Sequence, residues 1–350
     1  MTKNFTDSTT AHSYYPWQKD IWQQLFSAHI QADDFPHALL LAGVGGIGKK
    51  DLAFYFAQGL LCQSPQDNSH TGQVEPCHQC RSCQLFKAGN HPDFNHVSTP
   101  EEKKVIPVDD IREIIQWSVL NSQLGGKKVI IIEPAEAMNQ NAANSLLKTL
   151  EEPVSDTIII LLSNKKQALL ATVRSRCQSV DLPLPDKAMA LQWLQVQQVE
   201  QAELMLSLVS GAPIQALQLA NSEQLEVRNN IITQLLAIHD TSTDPVQVAE
   251  VLHRQIKASK KTSVLTAFDV VYWMDSMIMD VVRLSQNCKD STITNIDYLQ
   301  SLKQLSNRLY LKNLLQLSDS FNKAYYEIQG SINANLVLEN LFIDWKNCKI

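Results

Sequence analysis

A short apolar run, Ala38-Leu39-Leu40-Leu41-Ala42, passes directly into Gly43-Val44-Gly45-Gly46-Ile47-Gly48-Lys49-Lys50. That order constrains the fold more than any other feature of the chain. In the pattern G-x-x-x-x-G-K-[ST], a buried strand ends in a glycine turn, backbone amides close around phosphates, and a helix begins at the lysine. The lysine reaches the terminal phosphates and the hydroxyl after it holds Mg²⁺. Here the hydroxyl position is Lys50. An ammonium group cannot coordinate Mg²⁺, and it brings its own positive charge to the metal's place. Gly43, Gly48, Lys49 and Lys50 are therefore the candidate phosphate contacts of a degenerate loop, expected to keep the strand–turn–helix and lose the chemistry.

Strand and helix patterns go on alternating after the loop. Val129–Ile132 and Thr157–Leu162 have the continuous Ile/Leu/Val character of strands buried on both faces. Asp51–Leu61, Asp109–Leu120 and Asn141–Glu152 read as helices. The last begins at asparagine caps, aligns Leu146, Leu147 and Leu150, and stops before Pro153. The expectation is an α/β P-loop domain, a parallel sheet with helices on both faces.

Nine of the eleven glycines precede residue 127, and beyond Pro213 only Pro245 and Gly330 remain. Such loss of punctuation predicts a helical second half. Leu182-Pro183-Leu184-Pro185 marks a boundary, Asp186–Gly211 reads as short helices, and Gly211-Ala212-Pro213 turns into Ile214–Ala220. The final helix, Asn335–Trp345, aligns Leu338, Leu341, Phe342 and Trp345. A chain of 350 residues, 44% hydrophobic and 19% charged, has material for two or three packed domains.

A net charge of −6 gives no chain-wide basic field. Any contact with DNA then needs a local patch or partner subunits. The first thirty residues lack the pattern of a secretory leader, and no apolar run approaches the roughly 18 residues of a membrane span, so the cytoplasm is expected.

Cys77-His78-Gln79-Cys80-Arg81-Ser82-Cys83 concentrates three of the seven cysteines. Such spacing fits a metal site in a reducing compartment better than a disulfide framework. A structural zinc ion needs a fourth ligand. Cys62, at the end of the helix after the glycine loop, is the nearest candidate, with His70 the weaker substitute; His78 adjoins a ligand and is poorly placed for the same ion. Four thiolates leave no open position for water, so the role expected is structural. The intervening Gln63–Glu75 is polar and reads as a loop.

Two further positions bear on nucleotide chemistry. The strand at Val129–Ile132 ends in Glu133-Pro134, where a hydrolysing P-loop enzyme carries an acid for Mg²⁺ and then a glutamate that activates water. Glu133 can stand for the first, but Pro134 offers no base. In Val173-Arg174-Ser175-Arg176-Cys177, no acidic residue is near in sequence. An arginine so placed is either a surface charge or a finger aimed at a neighbour's γ-phosphate.

These segments, taken together, resemble the bacterial clamp-loader AAA+ family, and within it the delta-prime subunits of DNA polymerase III. The resemblance is carried by His37–Gly43, by Cys62 with the Cys77–Cys83 cluster, and by Gly89-Asn90-His91-Pro92-Asp93. It is carried further by Ala142–Pro153, by Ser175-Arg176-Cys177 and by Ile332-Asn333-Ala334-Asn335-Leu336. It implies an AAA+ core over 1–182, a zinc module on Cys62, Cys77, Cys80 and Cys83 inserted at about 62–83, a helical lid over 183–220 and an oligomerising helical collar over 221–350. Arg176 matches the family's arginine finger, with Arg174 a bystander. Active members carry an arginine in a G-x-x-R segment of the lid, where Gly211-Ala212-Pro213-Ile214 has isoleucine.

The function implied is that of a non-hydrolysing stator, partnered by gamma/tau and delta subunits and, through the complex, by the sliding clamp and primed DNA. ATP is not hydrolysed by the chain, though weak nucleotide binding is compatible with its glycines. Two rivals remain at this level. Turnover by the isolated chain would favour an active gamma/tau-like ATPase, and salt-sensitive DNA binding a zinc-dependent DNA-binding protein.

Overall fold

Every residue of β1 (Ala38–Ala42) and of β6 (Thr157–Ser163) is buried. Strands apolar on both faces belong inside a covered parallel sheet, and the computed structural model puts them there. With β4 (Phe94–Ser98), β5 (Lys128–Glu133) and β7 (Gln178–Asp181) they form a five-stranded sheet in the order β4-β5-β6-β1-β7. All its pairings are parallel, with Ala42 level with Ser163 and Asp181, and Ile132 level with Leu161. The carboxyl ends of β1, β6 and β5 therefore share one edge, the edge at which open α/β sheets bind ligands. Residues 14–23, 35–68, 73–99, 105–152, 156–240, 243–259, 265–329 and 333–348 are described by the structure. His70, Pro153 and Ile332 lie outside them.

Helix α1 (Lys49–Leu61) leaves the glycine turn and is buried almost all round, from Leu52 through Gly59 without a break. An amphipathic pattern would have been too narrow for it, since it is covered on several sides. Helices α3 (Val108–Val119) and α4 (Gln140–Glu151) pack Ile111, Ile114, Leu146 and Leu150 with Leu40, Ile130 and Leu161 of the sheet. The Asn139 side chain caps α4 by accepting from the Ala142 N–H, so the helix starts one residue earlier than the sequence suggests. Observed bounds of β1 are those expected, and those of the other expected elements differ by at most two residues. The differences of substance are β4 and β7, which sequence reading omits, and the stretch read as a loop. That stretch contains a hairpin, β2 (Gln66–Asn68) paired antiparallel with β3 (Gln73–Glu75), followed by α2 (Arg81–Lys87).

The chain divides into two units, 1–189 and 190–350. Among the described residues, the second unit is helical from α6 (Lys187–Val196) and α7 (Ala202–Leu208) to the last helix, Ala334–Lys346. It holds two apolar clusters. One gathers Ala190, Leu194, Leu204, Met205 and Ala216. The other is larger and gathers Met274, Met277, Phe321, Leu338, Phe342 and Trp345. Beside it, the fully buried Arg228 donates to both carboxylate oxygens of Asp297 and to Asn295. None of the described helices is long and apolar enough to cross a membrane.

Candidate functional site: a closed glycine loop, a four-cysteine cluster and a tethered arginine

The glycine loop has the backbone of a phosphate cradle. Gly46 and Gly48 take φ values of 73° and 84°, a region that favours glycine. A Cβ on Gly43 would meet the Leu182 carbonyl oxygen at 2.5 Å, and one on Gly48 would collide with the Tyr15 ring. The loop's cations, however, are already engaged. Lys49 Nζ donates to the carbonyls of Gly43 (2.8 Å) and Val44 (2.6 Å), and burial lowers its pKa to about 8 against the opposing pull of Glu136 and Glu133. Lys50 Nζ lies 3.7 Å from Glu133 Oε2 at the end of β5. Those two positions are the ones that share Mg²⁺ in the hydrolysing pattern, and here an ion pair joins them directly. His96 Nε2 faces the same Glu133 oxygen at 3.5 Å. After Glu133, Pro134 offers no side chain that could activate water.

The outer side of this loop is braced by a segment far away in sequence. Trp17 Nε1 and Gln18 Nε2 donate to the Ile47 carbonyl at 2.9 and 2.8 Å, Gln18 also donates to the Gly48 carbonyl, and Tyr15 donates to Asp51. Sequence reasoning does not find this brace, because nothing local in Tyr15-Pro16-Trp17-Gln18 points to a loop thirty residues on.

At the other end of α1, the hairpin turns the chain back, and Cys62, Cys77, Cys80 and Cys83 converge. Their sulfurs all lie within 4.8 Å of one another, with Cys62 at 3.5 Å from Cys77 and 3.9 Å from Cys80. A tetrahedral ion with Zn–S bonds of about 2.3 Å needs sulfurs ~3.8 Å apart, and the Cys62–Cys77 and Cys62–Cys80 separations lie close to that. Backbone N–H groups of Cys77, Cys80 and Cys83 donate to the sulfurs of Cys62, Cys77 and Cys80 at 3.3–3.4 Å, an arrangement that favours thiolates. The contact with the Cys83 thiol holds Cys62 down to about 5 against the effect of burial, and the same contact pushes Cys83 up. The four residues can hold a metal ion. His78 is directed elsewhere, with Nδ1 3.3 Å from Gln58 Nε2 and its ring beside Tyr55.

Arg176 follows the four-residue helix α5 (Ala171–Arg174) and is tethered. Its Nε donates to Glu151 Oε1 at 2.6 Å, Nη2 pairs with the same oxygen, and Nη1 donates to the Thr172 carbonyl at 2.9 Å. The acidic partner missing from the neighbouring sequence is the last residue of α4, twenty-five positions earlier. The guanidinium is about one-third exposed, so part of its edge faces outward. In the second unit, Gly211 has a φ of 89°, Pro213 opens the helix Pro213–Ala220, and Ile214 stands in its first turn. The site is thus three separate arrangements on one domain.

Comparison with known proteins covers both units of the chain. Residues 17–186 match the family model described as DNA polymerase III, delta subunit, and residues 222–347 the model described as DNA polymerase III, delta subunit, C terminal. A protein of Pseudomonas aeruginosa named DNA polymerase III subunit delta' is 33% identical over 95% of this chain and 97% of its own length. Proteins of the same name from Yersinia pestis (31% identical, covering 95% of this chain and 96% of the relative) and Escherichia coli (30%, 85% and 84%) are also similar.

Proposed function

Because the chain belongs to the delta' family of DNA polymerase III subunits, we propose that it serves a clamp loader as a subunit that does not hydrolyse ATP. In this reading it assembles in the cytoplasm with gamma/tau and delta subunits, and the complex loads the sliding clamp on primed DNA. The observation that carries it is the Lys50–Glu133 pair, which joins the two positions a catalytic Mg²⁺ would bridge. Lys49 adds to it, since a phosphate would first have to draw its ammonium off the Gly43 and Val44 carbonyls.

Residues 1–182 act as the AAA+ core, 183–220 as the lid and 221–350 as the collar. The two apolar clusters of the second unit support a division there. Cys62, Cys77, Cys80 and Cys83 hold a structural zinc ion. Arg176 reaches the γ-phosphate in a neighbouring gamma/tau subunit, exchanging Glu151 for phosphate oxygens, and stabilises charge there as the phosphoryl group transfers.

The test begins with the isolated zinc-loaded chain and Mg-ATP. No turnover is expected, and Lys50→Thr is expected to restore none, because the base is still missing. Wild-type turnover of about 1 s⁻¹ or more, typical of an enzyme, contradicts the reading and favours an active ATPase. Co-purification of the chain with other loader subunits is the second expectation. Salt-sensitive DNA binding by the chain alone, without such partners, points to a DNA-binding protein instead.

A further inference from the structure

Gly89-Asn90-His91-Pro92-Asp93 is unclaimed by the nucleotide loop, the cysteines or the arginine. Its first two residues close helix α2. Gly89, at φ 71°, donates to the Phe86 carbonyl and Asn90 to the Leu85 carbonyl, the double bond of a Schellman end. His91 and Asp93 are then turned inward and are 6% and 2% exposed. The Asp93 carboxylate accepts from the Ser122 hydroxyl and from the N–H groups of Gln123 and Leu124, all at 2.8–2.9 Å. It anchors the turn to the loop before β5.

His91 connects that anchor to the cysteines. Its Nδ1 accepts from the Asp93 N–H at 3.1 Å, which leaves the imidazole proton on Nε2. Nε2 lies 2.8 Å from Ser82 Oγ, and Ser82 Oγ donates to the Leu61 carbonyl at 2.5 Å. Ser82 is 1% exposed. Leu61 directly precedes Cys62, and Ser82 directly precedes Cys83. One buried chain of hydrogen bonds therefore ends beside two of the four sulfurs, approached from the end of α1 and the start of α2.

We propose that Ser82 and His91 are positioning residues of the metal site, fixing the separation of the two segments that carry Cys62 and Cys83. The proposal rests on the metal reading of the cysteine cluster. Without the Ser82 hydroxyl, the Leu61 carbonyl and the His91 N–H are both left buried without partners. Satisfying them requires backbone movement, and that movement is transmitted to the adjacent sulfurs. Groups that orient metal ligands in this way are worth about 10–100-fold in affinity.

The test uses the full chain loaded with Zn²⁺ and measures metal affinity by competition with a chromogenic chelator. Ser82→Ala and His91→Ala are each expected to weaken zinc binding about 10–100-fold. The double variant should be no weaker than the worse single one, since both break one chain. His91→Gln, whose amide can donate to Ser82, should recover part of the loss. Cobalt loading supplies a readout that a purely structural role leaves unmoved. The tetrahedral ligand-field bands should shift or broaden in Ser82→Ala. If His91→Ala fails to fold, Ser82→Ala carries the test, because it removes one oxygen and leaves the packing.

Wild-type affinity and unchanged cobalt bands in Ser82→Ala would overturn the positioning role and leave the metal reading intact. A wild-type chain that binds neither zinc nor cobalt would overturn both.

Discussion

The two ends of helix α1 have had opposite fates. At its N-terminus, the glycine loop keeps the backbone of a phosphate site, yet its two lysines face groups of the protein itself, Lys49 the loop carbonyls and Lys50 Glu133. At its C-terminus, Cys62 joins three other cysteines whose sulfurs point at one another and at backbone N–H donors, an arrangement that can hold a cation. The same thirteen-residue helix thus carries a long lysine–glutamate ion pair at one end and four cysteines able to hold a metal ion at the other. Backbone motif and chemistry are separable: glycines report the turn, and only the ligand-bearing side chains report the reaction.

The largest effect that can break this comparison lies at the cysteine end. About one zinc per chain is expected, and Cys80→Ser should abolish it. Structural zinc supplies about 10–16 kcal/mol in isolated zinc modules, so metal loss should open the hairpin and the end of α1, seen as lost protection of their amides from hydrogen exchange. Zinc retained in Cys80→Ser, or none in wild type, would remove one side of the contrast.

Lys49 gives a smaller effect at the glycine end. Its pKa of about 8 lies below the ordinary 10.5 because burial disfavours the charged form. Between these values the unfolded chain binds more protons, so this residue makes stability rise with pH from about 8 toward 10.5, and contributes no slope below 8. The urea midpoint of wild type relative to Lys49→Met should therefore climb between pH 7.5 and 9.5. A flat difference would show that the lysine stays charged on its carbonyls throughout.

The smallest effect belongs to Lys50 itself. Its ion pair is long and the lysine is half exposed, so Glu133→Gln should cost only about 0.2–1 kcal/mol in chemical denaturation. A loss several times larger would mean that the pair holds the sheet edge, beyond replacing a metal there.

What the sequence disclosed follows from what burial makes visible. β1, β6, α4 and the three clustered cysteines announce themselves through apolar runs, an asparagine cap or ligand spacing. β7 does not, because only Val180 of Gln178–Asp181 is buried, and an edge strand with one inward side chain has no readable period. The hairpin between Cys62 and Cys77 is short and polar, so it passes for a loop. Long-range polar partners are invisible for another reason. Glu151 with Arg176 and Gln18 with Ile47 depend on the fold bringing distant residues together, and His91 with Ser82 on the turn that closes α2. Only the last pair left a trace, in the Gly89-Asn90-His91-Pro92-Asp93 turn.

The central claim is that this chain acts on a neighbour's phosphate and not on its own. The most direct test is Arg176→Ala in a loader reconstituted with the gamma/tau and delta subunits. The variant should assemble normally. The one ATP site facing it should lose about 10³–10⁵ in rate, the worth of such a finger. Total turnover should then fall modestly and clamp loading sharply. Arg176→Lys should rescue little, since the planar fork is lost, and Arg174→Ala should load as wild type does. Clamp loading by Arg176→Ala at the wild-type rate would contradict the account.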